Sequence, residues 1–414
     1  MSHHITVVGA GQSGLLLAAG LLDRGYRVRV VSDRTPPEIA AGRVSSSQCM
    51  FASSLAVERE LGLDFWAAEA PPVEGISFAV PGPPDSPAAG TKVIDWASRL
   101  DGIAQSVDQR LKMPKLIDEF VRRGGEFVVE TADVAALERY HDESDLVVVA
   151  AGKGDIARLF ERDATRSPYD RPQRALALTY VHGLEPRPEH SAVAFNLIPG
   201  VGEYFVFPAL TLSGPCEIMV FEGVPGGPMD CWGDVRDPAQ HLETSLRLLR
   251  QLVPWEADRA GNVRLTDDLG VLAGRFPPTV RHPVATLPSG RPVLGMADVV
   301  VLNDPITGQG SNNAAKCAAS YLRSILAHGD QPFDRAFLRQ TFETYWDYAR
   351  YVTDWTNALL APPPPHVLEL LTAANTRPDI AHRFVNGFDD PRDFFPWFAD
   401  PVAARDVLAP AGAR

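Results

Sequence analysis

The stretch ITVVGAGQSGLLLAAGLLDRGYRVRVVSDR, residues 5–34, leaves this chain little freedom in how it folds. A β-branched run, a glycine turn, a helix-length apolar run and a second β-branched run make one βαβ unit. In its G-x-G-x-x-G spacing Gly9 permits the turn, Gly11 lets a pyrophosphate approach the backbone, and Gly14 lets helix and strand pack closely. Gln12 and Ser13 open the helix, whose N-terminus offers unpaired N–H groups and a partial positive charge to an anion. A bare motif carries little weight, but strand before, helix after and strand again specify a dinucleotide-binding unit. The carboxylate that usually meets a ribose hydroxyl belongs at the end of the second strand, where this chain has Ser32, Asp33 and Arg34. Either Ser32 or Asp33 takes that place.

Composition bounds the partners. With 414 residues, 45% of them hydrophobic and 22% charged, the chain suffices for two or three domains with substantial cores. A net charge of −13 repels phosphate backbones and anionic lipid, which argues against nucleic acid and membrane as main partners. Cys49, Cys216, Cys231 and Cys317 stand far apart without a C-x-x-C pair, so they read as buried thiols of a cytoplasmic protein, not as a zinc site or disulfide scaffold. The apolar stretch from Leu15 to Leu22 lacks a basic leader and belongs to the glycine motif; no targeting or spanning segment is read.

Further along, proline and glycine crowd residues 71–90 (PPVEGISFAVPGPPDSPAAG), which reads as a surface loop or hairpin between segments of the nucleotide domain. VDQRLKMPKLIDEFVRRGGEF has helical spacing up to a stop at Gly124 and Gly125. DLVVVAAGKG, residues 145–154, is a buried strand entering a loop. Its GKGDIA imitates a second dinucleotide motif, but no βαβ unit follows, so it reads as a turn near the first. RALALTYV, SAVAFNLI, YFVFPALTL and CEIMVFEGV, between residues 174 and 224, suit a mixed sheet laid over a ligand, and HLETSLRLLRQLV, residues 241–253, an amphipathic helix. In RPVLGMADVVVLNDPITGQGSNNAAKCAASYLRSILAHG, residues 291–329, a strand carries Gly295 and Asp298, a turn carries Asp304 and Pro305, and Gly308-Gln309-Gly310 opens a helix. That helix is predicted to bury Ala314, Ala315, Ala318, Ala319, Leu322, Ile325 and Leu326. Glycines at a helix start leave N–H groups aimed outward, suited to an electron-rich carbonyl or a ring that becomes anionic. The expected division is a nucleotide domain over 1–175, a β-sheet substrate domain over 176–290, a return to the first domain over 291–330, and a helical segment over 331–414.

Together these motifs resemble the FAD-dependent aromatic hydroxylase superfamily, which joins an N-terminal dinucleotide motif to a late G-x-x-D and D-P-x-x-G-Q-G. The resemblance implies an α/β fold: a Rossmann-like FAD-binding domain of the glutathione-reductase and aromatic-hydroxylase type, a mixed β-sheet substrate domain and a helical C-terminal tail. It implies that Asp298 meets the ribose or pyrophosphate region of FAD, and that Pro305, Gly308, Gln309, Gly310, Asn312 and Asn313 surround the pyrimidine edge of the isoalloxazine. Arg43, after the second strand, would reach the flavin side, and Arg110 would contact FAD. The chain looks closer still to the oxygenase component of styrene and indole monooxygenases, through VSDRTPPE, AAGKG, RSPYDRPQRAL, DPITGQGSNNAA and TDWTNALLAPPPP, which together span nearly its whole length. That family implies a separate flavin reductase that spends NADH to supply reduced FAD, O2 as oxidant and a small aromatic substrate; a homodimer is compatible with it.

GRVSSSQCM, residues 42–50, then separates the branches. Styrene-type members tend to carry Asn, Val and His at alternate positions after the arginine and indole-type members Ser, Gln and Met, as at Ser46, Gln48 and Met50. Val73, Ile76 and Ala104 follow the same indole pattern, and Asn312 borders the pocket. The resemblance therefore implies oxygenation of indole at C2=C3, toward 3-hydroxyindole and indigo, with vinyl aromatics such as styrene as related substrates. Gln48 or Ser46 would accept the ring N–H, and Met50 would lie against the ring. No acid–base pair, nucleophile triad, catalytic histidine or metal cluster is read, which suits a cofactor that carries the chemistry in a dry pocket. The competing readings are a single-component NADPH-dependent hydroxylase and a flavin-binding protein without oxygenase activity. The chain has no W-x-W-x-I-P stretch of a halogenase.

Overall fold

The computed structural model describes residues 3–152 and 155–409. Two sheets organise them. The nucleotide sheet runs in the order Val284–Thr286, Pro292–Gly295, Leu146–Val149, His4–Val8, Arg27–Ser32, Glu126–Val129, parallel except for its first strand. Ile5, Val7, Val30, Val148 and Val293 are fully buried because helices cover both faces, as a parallel sheet requires. Helix Gln12–Leu22 packs on this sheet and on helix Gly310–His328. Gly20 allows that approach, since a Cβ there would stand 2.5 Å from Leu322 Cδ2.

The large sheet runs Arg264–Leu265, Ala175–His182, Gly214–Gly223, Gly202–Thr211, Ala192–Ile198, Pro72–Pro81, Lys92–Ser106, Cys49–Met50, with Val271–Gly274 also paired to Ala175–His182. Residues 71–90 thus differ from the sequence expectation in where they belong. Pro72–Pro81 and Lys92–Ser106 form a hairpin that joins this sheet through parallel pairing with Ala192–Ile198, and only residues 82–91 are loop. Proline density hid the strand: Pro72 and Pro81 sit at its ends, where a missing ladder donor costs little, while Val73, Ile76, Phe78 and Val80 between them are buried. The segment 1–175 accordingly contributes to both sheets.

Both faces of the large sheet are covered. Tyr204, Val206, Met219 and Phe221 pack on Trp232, Leu248 and Leu249. The opposite face, with Phe78, Phe195, Phe205, Phe207, Ile218 and Val220, is roofed by Trp355, Phe384, Phe388, Phe394 and Trp397 of the C-terminal segment. That segment comprises helices Arg335–Leu359, Pro365–Ala373, Pro378–Asn386 and Pro401–Leu408. Helix Gly310–His328 is enclosed on more sides than one apolar stripe predicts. It buries Asn312, Asn313, Cys317, Ser320 and Tyr321 beside the expected alanines, and leaves Ala319, Leu322 and Leu326 half-buried. Lys153 and Gly154 of the AAGKG loop lie outside the described residues, and the chain continues in the short turn Asp155–Leu159. Among the described residues no helix is long and apolar enough to cross a membrane.

Candidate functional site

The glycine turn between His4–Val8 and Gln12–Leu22 has the geometry its spacing predicts. Gly9 adopts φ +123°, and a Cβ on it would stand 2.7 Å from the backbone of Ala150 and Ala151. A Cβ on Gly14 would stand 2.1 Å from the Gly9 carbonyl oxygen, whereas Gly11, which caps the helix, borders open space. Ser13 and Gln12 are buried at the helix start. Gln12 Nε2 donates to Glu58 Oε1 at 2.5 Å, and Glu58 in turn pairs with buried Lys112, so the turn is braced from beneath. At the end of Arg27–Ser32, the Ser32 hydroxyl donates to the Arg34 carbonyl at 2.9 Å and accepts from Arg34 N–H at 3.2 Å. Asp33 carries an exposed carboxylate 3.6 Å from the Arg34 guanidinium.

Strand Cys49–Met50, whose Met50 sulfur meets Gln12, also holds the start of helix Gly310–His328 through Asn312. Asp304 accepts from Ile306 N–H, Gly308 takes φ +63°, and no neighbour fills the space that a Cβ on Gly308 or Gly310 would enter. Gln309 is fully buried; its Nε2 donates to the Phe388 carbonyl at 2.8 Å, while its Oε1 has no partner. Asn313, also buried, has no partner for either Oδ1 or Nδ2. Buried polar atoms are satisfied nine times in ten, and these three at one helix N-terminus are left open to a polar partner. Asn312 is spent on structure: Oδ1 accepts from Phe51 N–H at 2.9 Å, and Nδ2 donates to the carbonyls of Cys49 at 2.9 Å and Gly308 at 3.0 Å. Asp298 stands exposed just past strand Pro292–Gly295, against Gly152, whose Cβ would come within 3.3 Å of it. Gly9, Asp33, Gly152 and Asp298 thus gather at the carboxyl ends of the parallel strands, where open α/β sheets bind ligands.

The residues expected to line a substrate pocket divide into two groups. Val73 and Ala104 are cross-strand partners, and with Ile76 they are fully buried in the apolar cluster that includes Phe205, Ile218, Ile306 and Trp355. Near them Gln48 adopts φ +36°, a left-handed backbone uncommon for a side chain with a Cβ. Its Oε1 accepts from Ser46 Oγ at 2.6 Å and its Nε2 donates to Tyr180 Oη at 2.9 Å, while Tyr180 donates to the Ser46 carbonyl at 2.8 Å. Burial pushes the Tyr180 phenol well above its ordinary range, so it remains a neutral donor. Tyr180 was missed from the sequence; the only signal was a phenol standing among the aliphatic positions of RALALTYV.

Met50 goes elsewhere. It belongs to the core around the parallel sheet, and its sulfur accepts from Lys112 Nζ at 3.3 Å and Gln12 Nε2 at 3.5 Å. The expectation that Ser46, Gln48 and Met50 share one face assumed an extended strand. Only Cys49–Met50 is strand, and the turn of backbone at Gln48 breaks the alternation.

The two arginines are likewise occupied. Arg43 donates from Nη1 to the Val271 carbonyl at 2.8 Å and lines an open cleft of about 410 Å³ with Trp232, Arg236, His241 and Arg275. Arg110 is 3% exposed. Its guanidinium binds Asp108 at 2.8 and 2.9 Å, Asp267 at 2.9 and 3.0 Å and Thr211 at 3.3 Å. Every nitrogen is committed, so Arg110 ties three segments together.

Comparison with known proteins bears on this geometry. Residues 152–259 match the family model described as "Styrene monooxygenase A putative substrate binding domain". Over 412 residues the chain is 29% identical to styrene monooxygenase StyA of Pseudomonas fluorescens and equally to StyA of a Pseudomonas species, covering 97% of this chain and 96% of each relative. These matches support the styrene monooxygenase family. Among solved structures, the flavin-dependent brominase Bmp2 superimposes with a TM-score of 0.66 at 13% identity, covering 99% of this chain and 98% of that one. The myxobacterial chondrochloren halogenase CndH gives 0.63 at 16% identity over 86% of this chain and 82% of that one. Identities this low show the fold alone, the α/β architecture of FAD-dependent halogenases and hydroxylases. Within the stretch that matches the styrene monooxygenase family lie Tyr180, Phe205 and Ile218, on the roofed face of the large sheet.

Proposed function

We propose that this protein is a flavin-dependent monooxygenase of the two-component type, which takes reduced FAD from a separate NADH-dependent reductase and transfers one atom of O2 to the C2=C3 bond of indole or to a related vinyl aromatic. The observation that carries the reading is the set of unpartnered buried atoms on Gln309 and Asn313, in a chain that also has a glycine turn of dinucleotide-binding geometry. The donor set fits FAD. Gly9 to Gly14 would hold the pyrophosphate at the helix N-terminus, Asp298 the ribose or pyrophosphate region, and the turn from Pro305 to Gly310, with Asn313, the polar edge of the ring. Because Ser32 already spends its hydroxyl on Arg34, Asp33 is the better candidate for the adenosine ribose. Reduced FAD, when bound, supplies the electrons and the ring on which O2 is activated.

The chain's own part is to bind, orient and keep dry. Val73, Ile76 and Ala104 are apolar and fully packed, so a substrate space opened beside them would have no proton donor on that side and would protect the oxidant from wasteful release as hydrogen peroxide. In the ring of hydrogen bonds joining Ser46, Gln48 and Tyr180, the Gln48 carbonyl and the Ser46 hydroxyl each retain a lone pair that can accept an indole N–H. Met50 has no place in this reading, since it packs in the nucleotide core. The test supplies reduced FAD aerobically, with indole and with styrene in separate reactions. Blue pigment from indole together with an epoxide from styrene is the expected result. Phenol-stimulated NADPH oxidation by the isolated chain would instead favour a single-component hydroxylase, and flavin binding without any oxygenated product would leave only a flavin carrier.

A further inference from the structure

At one end of the large sheet's roofed face three carboxyl groups are shut away with a single guanidinium. Glu203 and Glu222 are cross-strand neighbours on the face that carries Phe205, Phe207, Ile218 and Val220, and Asp304 comes from the turn that leads into Pro305. Exposure is 2% for Glu203, 0% for Glu222, 2% for Asp304 and 6% for Arg174. Arg174 is committed to Glu203 through paired hydrogen bonds of 2.7 and 2.9 Å, and its Nη1 to the carbonyls of Gln173 and Leu360. Asp304 accepts from Ile306 N–H at 3.2 Å. Neither oxygen of Glu222 receives a donor, and the side chain it meets is the carboxyl of Asp304.

Charge counting decides what this means. Three buried carboxylates against one cation leave an excess of negative charge in a region of low dielectric, and two adjoining carboxyls cannot both ionise there. The cluster must keep at least one proton. Burial, followed by the charges of Asp304 and Glu203, holds the Glu222 carboxyl well above the ordinary carboxylate range.

We propose that Glu222 is a positioning residue which, carrying a proton, donates a hydrogen bond to Asp304 and so fixes the turn from Asp304 to Gly310 in the shape that receives the flavin ring. The inference rests on the flavin reading above for its purpose, though not for its proton count. The charged groups that face Glu222 are Glu203 from the neighbouring strand, Arg174 from the segment before Ala175–His182, and Asp304 from the turn. A carboxyl raised in the folded state contributes stability that is complete at low pH and is lost as pH rises through its folded value. The turn should therefore loosen on the alkaline side.

The experiment measures FAD binding to the full chain by flavin fluorescence, and melting of the FAD-free chain, from about pH 6 to about pH 9.5. In the native chain FAD affinity falls by up to about tenfold for each pH unit above the point where Glu222 ionises, whereas the melting temperature falls as pH rises toward that point and levels off beyond it. Glu222→Gln, neutral and still a donor to Asp304, keeps the low-pH affinity and flattens both profiles. Glu222→Leu, neutral but without a donor, weakens FAD by about tenfold across the range. A native-like slope in Glu222→Gln, or a flat profile in the native chain, overturns the proposal. Absence of FAD binding in all three chains, with a melting slope in the native chain alone, overturns the flavin reading while upholding the proton on Glu222.

Discussion

Gln48 holds a left-handed backbone that costs about 1–3 kcal/mol, and such strain persists only where surrounding contacts impose it. Here those contacts are Ser46 and Tyr180, which fix both ends of its amide. Gln48→Ala is expected to lower indole turnover about tenfold or more while affecting styrene less, because only indole brings an N–H that needs an acceptor. Equal losses on both substrates, measured as kcat/KM, would remove Gln48 from substrate recognition. Gly14 gives a second prediction. A methyl group there must displace the Gly9 carbonyl, so Gly14→Ala should lose most FAD affinity in a fluorescence titration and cost about 1–3 kcal/mol of stability. At this scale the sequence was legible where a residue type has one reason to be present, as at Gly9 and Gly14. It was less so where the partner comes from a distant segment, as Tyr180 does for Gln48 and Lys112 for Met50.

Between elements, single polar side chains do the joining. Asn312 holds strand Cys49–Met50 to the start of helix Gly310–His328 by three hydrogen bonds, two of them across elements. Asn312→Ala leaves the Phe51 N–H and the Cys49 carbonyl buried without partners and should cost about 2–4 kcal/mol in urea unfolding. Arg110 neutralises Asp108 and Asp267, so Arg110→Ala strands a buried carboxylate and should cost about 3–5 kcal/mol, a loss seen in the FAD-free chain as well. The strands and helices themselves were readable from apolar periodicity, and the four runs between residues 174 and 224 reappear as Ala175–His182, Ala192–Ile198, Gly202–Thr211 and Gly214–Gly223. At 71–90 the sequence left loop and hairpin both open and did not show that the hairpin joins the large sheet, because prolines at strand ends look the same in sequence as prolines in a loop. Arg110 lies beside the helix cap Asp108 while its other partner, Asp267, is far along the chain, and no local spacing announces that bond.

For the whole molecule, the aromatic roof is part of the core. Ending the chain after Ala361 would strip Phe384, Phe388, Phe394 and Trp397 from the large sheet and uncover Phe78, Phe195 and Phe205. The shortened chain is expected to aggregate or to bind a hydrophobic dye, where the full chain does neither. The thiols give a global probe of the same enclosure. Cys49, Cys216 and Cys317 are buried, and burial pushes Cys49 up to about 12, whereas Cys231 is partly exposed. A thiol reagent should modify one cysteine promptly in the native protein and all four after denaturation.

Strand Pro292–Gly295 lies beside Leu146–Val149, and helix Gly310–His328 follows it. During synthesis the four parallel strands made first therefore leave the ribosome with the Leu146–Val149 edge of their sheet unpaired, and that edge waits through the making of the strands from Ala175 to Gly274 before the missing neighbour arrives. Any chaperone demand of this protein should concentrate in that interval, and a stalled or prematurely ended chain should be a proteolytic substrate rather than a partial enzyme.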